Sequence, residues 1–100
     1  MPGDTATVIT SFDCAIDLDL MDHVQRWIYF FGVYERPLVE FFQAKLSEGM
    51  VFVDVGAQVG QYTLLSAQCV GMGGHVHAFE PSPATLLRLR KNIALNNSRM

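Results

Sequence analysis

The sequence predicts an α/β protein in which a β-hairpin and two helices precede a partial parallel sheet of β-α-β-α order. Residues 7–20 alternate between apolar and polar, as half-buried strands do, and from Val51 onward short apolar runs alternate with helical patterns. Alternating strands and helices are typical of parallel sheets. We expect a boundary between a lead-in at residues 1–49 and the sheet at residues 50–100.

Composition and charge limit the classes of function. Of the 100 residues, 50% are hydrophobic and 17% are charged, which excludes a disordered chain and fits one small domain or part of a larger one. A basic cluster near the end contains no acid and consists of Arg88, Arg90, Lys91 and Arg99. Because it is short and has no interleaved aromatics, we predict a solvated helix face and no nucleic-acid partner.

Metal sites and membrane segments have no clear signal. Cys14 and Cys69 lack zinc-ligand spacing, and His75 and His77 lack a third ligand nearby along the chain, so no metal is expected. No apolar run approaches the roughly 18 residues of a membrane span, and the first residues do not resemble a signal peptide. We expect a cytoplasmic location and no membrane partner.

The first half predicts a hairpin that turns near Asp13. Asp17 and Asp19 fall on the face opposite to Ile16, a register that predicts solvated carboxylates.

Two helices follow the hairpin. The first is expected within residues 21–33, capped by Asp22 and ended by Gly32, with its aromatic cluster at residues 27–31 packed in the core rather than forming a ligand wall. The second is expected over residues 35–48, with Pro37 in its first turn and Gly49 just after its end. Its apolar stripe comprises Leu38, Phe41, Phe42 and Leu46.

The second half predicts the sheet. The apolar run at residues 51–55 is typical of a strand buried on both faces, and a helix is expected over residues 62–70. A second strand at residues 75–79 precedes a helix that Ser82 caps and Pro83 opens, and that ends near Leu95.

Between the first of these strands and its helix lies the run Asp54-Val55-Gly56-Ala57-Gln58-Val59-Gly60. Gly56 allows a tight turn close to a ligand, and Gly60 lets the helix begin close to the strand. Gln58 breaks the dinucleotide-binding pattern G-x-G-x-x-G, and no Lys follows Gly60 as a phosphate-binding P-loop requires. The helix N-terminus still offers free N–H groups to a ligand.

Glu80 ends the second strand, 24 residues after Gly56. Doubly wound folds place a ribose-binding acid near this point, where one carboxylate accepts from both ribose hydroxyls. The alternative is an ordinary exposed acid at a strand end. The register of Glu80 with the glycine loop favours a nucleoside site.

Several runs resemble those of the FkbM-type methyltransferases. They are Phe31-Gly32-Val33-Tyr34-Glu35, the run from Val51 to Leu65, Val76-His77-Ala78-Phe79-Glu80-Pro81-Ser82-Pro83, and Asn92-Ile93-Ala94-Leu95-Asn96. The resemblance covers roughly residues 16–97. It implies a class I methyltransferase, in which a Rossmann-like sheet holds S-adenosylmethionine and a hydroxyl of a sugar or another small molecule accepts the methyl group.

The resemblance also implies a set of cofactor-binding residues. In chain order they are Tyr34, Glu35, Asp54, Gly56, Ala57, Gln58, Gly60, Tyr62, Thr63, Glu80, Pro81 and Ser82. The glycine loop would lie under the methionine and ribose, Glu80 would hold the ribose hydroxyls, and Pro81 and Ser82 would lie near the adenine. The family usually has Asn where this sequence has Gln58.

Two classes of function stay open. A class I methyltransferase has further strands that carry its acceptor loops, so residues 50–100 are expected to be the first half of the S-adenosylmethionine-binding domain of a parent O-methyltransferase. The alternative is a truncated, catalytically inactive fragment that binds the cofactor or self-associates through an exposed sheet edge. No catalytic residue is assigned by either interpretation.

Overall fold

The structure, a computed structural model, describes residues 4–97 of the chain. The elements are β1 (Thr5–Ile9), β2 (Ala15–Asp19), α1 (His23–Phe31), α2 (Arg36–Lys45), β3 (Val51–Val55), α3 (Gln61–Val70), β4 (His75–Phe79) and α4 (Pro83–Leu95). The described part is a mixed α/β structure with four helices and two separate two-stranded sheets. This confirms the α/β class and the order of elements. Arg99 of the basic cluster lies outside the described residues.

β1 and β2 form the predicted hairpin. The strands are antiparallel with Val8 opposite Ile16, and Asp13 in the connecting turn has a left-handed backbone with φ 62°. β2 is the more buried strand because α1 and α4 both pack against it. Its residues Ile16 and Leu18 are fully buried and belong to the main core, together with residues of α1 and α3.

The prediction of a solvated Asp17 is wrong. This residue is buried, and its carboxylate accepts from the Thr7 hydroxyl at 3.1 Å. It also forms ion pairs with Arg88 at 2.6 Å and Lys91 at 3.2 Å. The reason is that α4 packs on β2, so the outward face of the hairpin is an interface. The basic face of α4 is therefore partly paired rather than wholly solvated.

α1 has the predicted ends. Asp22 accepts from the Gln25 N–H at 2.9 Å, and Gly32 follows the helix with φ 78°. The aromatic cluster does not pack in the core as expected. Ile28 alone of residues 27–31 is buried, whereas Trp27 and Phe31 are exposed, because α1 presents only one narrow face to β2.

α2 ends earlier than predicted. Its last residue is Lys45, so Gly49 does not follow its end but lies in the turn before β3, where its N–H donates to the Val70 carbonyl at 2.9 Å. Its buried residue is Val39, while Leu38 of the predicted stripe is exposed. The spacing of the apolar residues did not reveal which part of the stripe faces the core.

β3 and β4 are parallel and in register from Val51 opposite His75 to Val55 opposite Phe79. α3 packs against this pair. The expectation of burial on both faces is wrong for the described residues, since Val51 and Val55 are 60% and 80% exposed. No helix among residues 4–97 is long and apolar enough to cross a membrane.

Candidate functional site

The site lies where β3 and β4 end. Because the strands are parallel, their carboxyl ends meet at one edge of the sheet. The loop of residues 56–60 leaves β3 there, and the N–H groups of Gly56 and Ala57 both donate to the Phe79 carbonyl, at 2.8 and 3.0 Å. The glycine loop is thus tied to the end of β4.

The glycine loop has three residues with left-handed backbone. These are Gly56 with φ 77°, Gln58 with φ 53° and Gly60 with φ 108°. Glycine suits position 60 because φ is 108° there, and an added Cβ would also lie 2.9 Å from Leu89 Cδ1 of α4. At Gly56 a Cβ would meet no atom within 4 Å. The space beside Gly56 is therefore open to a ligand.

The backbone of Gln58 is in a left-handed conformation that Asn would adopt with less strain. A non-glycine residue with positive φ is uncommon, and Asn is among the residues that adopt this conformation most readily. The backbone N–H of Gln58 donates to Glu80 Oε1 at 2.8 Å. This bond holds the residue in place, and it uses the backbone rather than the Gln58 side chain.

Glu80 holds two backbone segments at once. Besides Gln58, its carboxylate accepts through Oε2 from the Ser82 N–H at 3.0 Å. Ser82 is the N-cap residue of α4, but its side chain makes no capping hydrogen bond, and Pro83 opens the helix as predicted. Pro81 and Ser82 are exposed beside the carboxylate.

Asp54 and Thr63, which lie on either side of the glycine loop in the chain, contact each other. The Thr63 hydroxyl donates to Asp54 Oδ2 at 2.7 Å, and Thr63 is buried. The pair connects β3 to the first turn of α3. The hydrogen bond therefore ties the strand before the glycine loop to the helix after it.

The segment before α2 contacts the start of α3. Gln61 accepts from the Tyr34 N–H and donates to the Tyr34 carbonyl, both at 2.8 Å. The Tyr62 hydroxyl donates to Glu35 Oε1 at 2.8 Å. Partial burial, and then the hydrogen bond to the Glu35 carboxylate, raise the pKa of Tyr62 well above its ordinary value. Tyr62 therefore remains a neutral hydrogen-bond donor.

These contacts enclose a pocket of about 250 Å³ between α1, the segment before α2 and the glycine loop. Seven predicted residues line it: Tyr34, Glu35, Gly56, Ala57, Gln58, Gly60 and Tyr62. Asp54, Thr63, Glu80, Pro81 and Ser82 are not among the lining residues. An apolar groove of about 500 Å³, walled by Trp27 and Phe31, shares Tyr34 and Glu35 with the pocket.

Sequence reasoning missed three buried polar residues whose side chains join distant segments of the chain. Gln61 fixes Tyr34, and Asn92 and Asn96 of α4 are fully buried. The available signal was the spacing of the two asparagines, since residues four apart on a helix share one face. A pair of asparagines on the buried side of an apolar helix needs hydrogen-bond partners.

Among residues 4–97, no three His, Cys, Asp or Glu side chains are grouped closely enough to hold a metal ion. His75 and His77 stack with ring centroids 6.4 Å apart on the exposed face of β4. No protein-family model matches the chain. Comparison with curated proteins gives no match either.

Proposed function

We propose that this chain forms the cofactor site of an S-adenosylmethionine-dependent methyltransferase of the FkbM type. The parent protein would contain a Rossmann-like sheet, act in the cytoplasm and methylate a hydroxyl of a sugar or another small molecule. The observation that carries the proposal is an open glycine turn at Gly56 beside the Glu80 carboxylate, at the carboxyl ends of two parallel strands. Open α/β sheets bind ligands at this end.

The Glu80 carboxylate is suited to a ribose. Each of its oxygens accepts one backbone N–H, from Gln58 and from Ser82. A carboxylate has about four acceptor sites, so each oxygen retains one for a hydroxyl donor. The two N–H bonds also orient the carboxylate before a ligand arrives, which lowers the entropy lost on binding.

The pocket beside Gly56 is suited to the rest of the cofactor. The missing side chain leaves room for close approach, and the carboxylate of Glu35 favours the positively charged ammonium and sulfonium groups. A pocket of about 250 Å³ lies just below the roughly 300–1,000 Å³ of typical ligand sites. It accommodates part of a nucleoside cofactor.

S-adenosylmethionine, when bound, supplies an electrophilic methyl group. The residues of this chain would bind and orient the cofactor, and alignment is the main task of a protein in such a transfer. The one hydroxyl proton of Tyr62 is donated to Glu35, so Tyr62 would offer its oxygen to the cofactor as an acceptor and would stay neutral near neutral pH. No general base is assigned.

Isothermal titration calorimetry with S-adenosylmethionine tests the proposal. Gly56→Ala fills the open space and should weaken binding at least about tenfold. Gly49→Ala is the matched control, because Gly49 also has a left-handed backbone (φ 88°) and nothing within 4 Å of a Cβ, yet does not line the pocket. Absence of heat at millimolar ligand, or equal weakening by both variants, would overturn the proposal.

The exposed face of β3 and β4 favours self-association, which is one part of the second candidate, a truncated and catalytically inactive fragment. Val51, Val53, Val55 and Phe79 are all more than half exposed on that face. Apolar patches of this kind are often contact surfaces. Sedimentation velocity at increasing concentration should then show dimers or larger species, and a monomer at all concentrations would argue against this candidate.

A further inference from the structure

The outer edge of β2 is paired by side-chain amides instead of by another strand. On the edge away from β1, the backbone of Ala15 bonds to Asn96, that of Asp17 bonds to Asn92, and the N–H of Asp19 donates to Gln25. For Ala15 and Asp17 the carbonyl accepts from the same asparagine, at 2.7 and 3.2 Å. Each asparagine side chain thus makes the two backbone hydrogen bonds that a residue of a neighbouring strand would make.

Asn92 and Asn96 differ in their remaining N–H group. The second amide proton of Asn96 stays within α4 and binds the Asn92 carbonyl at 2.7 Å. That of Asn92 leaves the helix and binds the Val59 carbonyl in the glycine loop at 2.8 Å. Asn92 therefore joins three segments: β2, α4 and the loop.

Val59 occupies the point where the loop needs support. It lies between Gln58 and Gly60, which both have left-handed backbone. Such conformations persist only where the surrounding structure holds them, and a buried carbonyl requires a partner. Val59 is buried, and its carbonyl finds that partner in Asn92.

We propose that Asn92 is a positioning residue for the cofactor loop, whereas Asn96 serves only the edge of β2. Asn92 holds the Val59 carbonyl, so it keeps the loop in the conformation that presents Gly56 to a ligand. The part of this inference that concerns S-adenosylmethionine rests on the proposed function. The part that concerns the loop does not.

Asn92→Ala and Asn96→Ala form a matched pair, because each removes two hydrogen bonds to β2 and one further donor. Backbone hydrogen exchange is measured by NMR at residues 56–60 and normalised to the amides of α2, which form no hydrogen bond with either asparagine. We expect exchange in the loop to rise about fivefold to tenfold more in Asn92→Ala than in Asn96→Ala. When the two variants are compared under conditions in which they are equally stable, the dissociation constant for S-adenosylmethionine should also rise more in Asn92→Ala than in Asn96→Ala, by a similar factor.

Equal effects of the two variants on loop exchange would overturn the inference. That result is expected if both asparagines do no more than pair the edge of β2. If an alanine variant unfolds, Asn92→Ser and Asn96→Ser are compared in trimethylamine N-oxide, which favours the folded state. A wild-type chain that does not bind the cofactor would refute the proposed function alone. The exchange comparison would still decide the role of Asn92.

Discussion

Replacing Gly60 with alanine tests the close approach of the glycine loop to α4. The backbone at Gly60 has φ 108°, and an added Cβ would lie 2.9 Å from Leu89 Cδ1. A left-handed conformation costs an L-residue about 1–2 kcal/mol, and an extra methyl group in a packed site adds about 1–3 kcal/mol. Leu89 is buried, so a shift of its terminal methyl group disturbs the core, and we expect the free energy of unfolding to fall by about 2–3 kcal/mol.

Urea denaturation followed by circular dichroism measures this loss. Gly56→Ala is the control, since Gly56 is also left-handed but has open space around a Cβ, and its loss should be about 1 kcal/mol. Equal losses in the two variants would refute the close approach. In a Leu89→Ala background the additional loss from Gly60→Ala should shrink, and an unchanged loss would exclude Leu89 as its cause.

Three further predictions concern the loop, the pocket and the hairpin. Gln58→Asn should raise the free energy of unfolding by about 0.5 kcal/mol in urea denaturation, because Asn adopts left-handed backbone more readily; a loss of stability would contradict this. The raised pKa of Tyr62 favours the folded state below about pH 10, so stability should fall as pH rises above that value, and less steeply in Tyr62→Phe. Parallel pH curves for the two proteins would contradict it. Asp17→Ala should lower the free energy of unfolding by about 2 kcal/mol, since Arg88 and Lys91 lose their partner; an unchanged urea midpoint would contradict the ion pairs.

The order and type of the elements were predictable because their signals are local. Asp22 caps the start of α1 through a hydrogen bond within a few residues, and Gly32 ends the helix through its left-handed backbone. The turn at Gly56 and the acid at Glu80 could likewise be recognised from their spacing along the chain. Most of the candidate site was named in this way, although the residues that line the pocket could not be distinguished from those that do not.

The faces of the elements were less predictable because burial depends on distant partners. Leu38 and Val39 are both apolar, and only the packing of α2 decides that Val39 is buried. β3 has the composition of a strand covered on both sides, yet one of its faces is exposed in the described structure. An apolar pattern shows what a residue can bury, but not whether a neighbour is present.

The sequence alone therefore determined the α/β class, the succession of strands and helices, and the glycine loop with its acid. The tertiary structure was needed to reveal that Asp17 is an anchor for α4 and that Asn92 reaches both β2 and the loop. Asp17 and Asn92 are separated by 75 positions in the chain. Their hydrogen bonds form only after the helix has packed on the hairpin, so no local pattern encodes them.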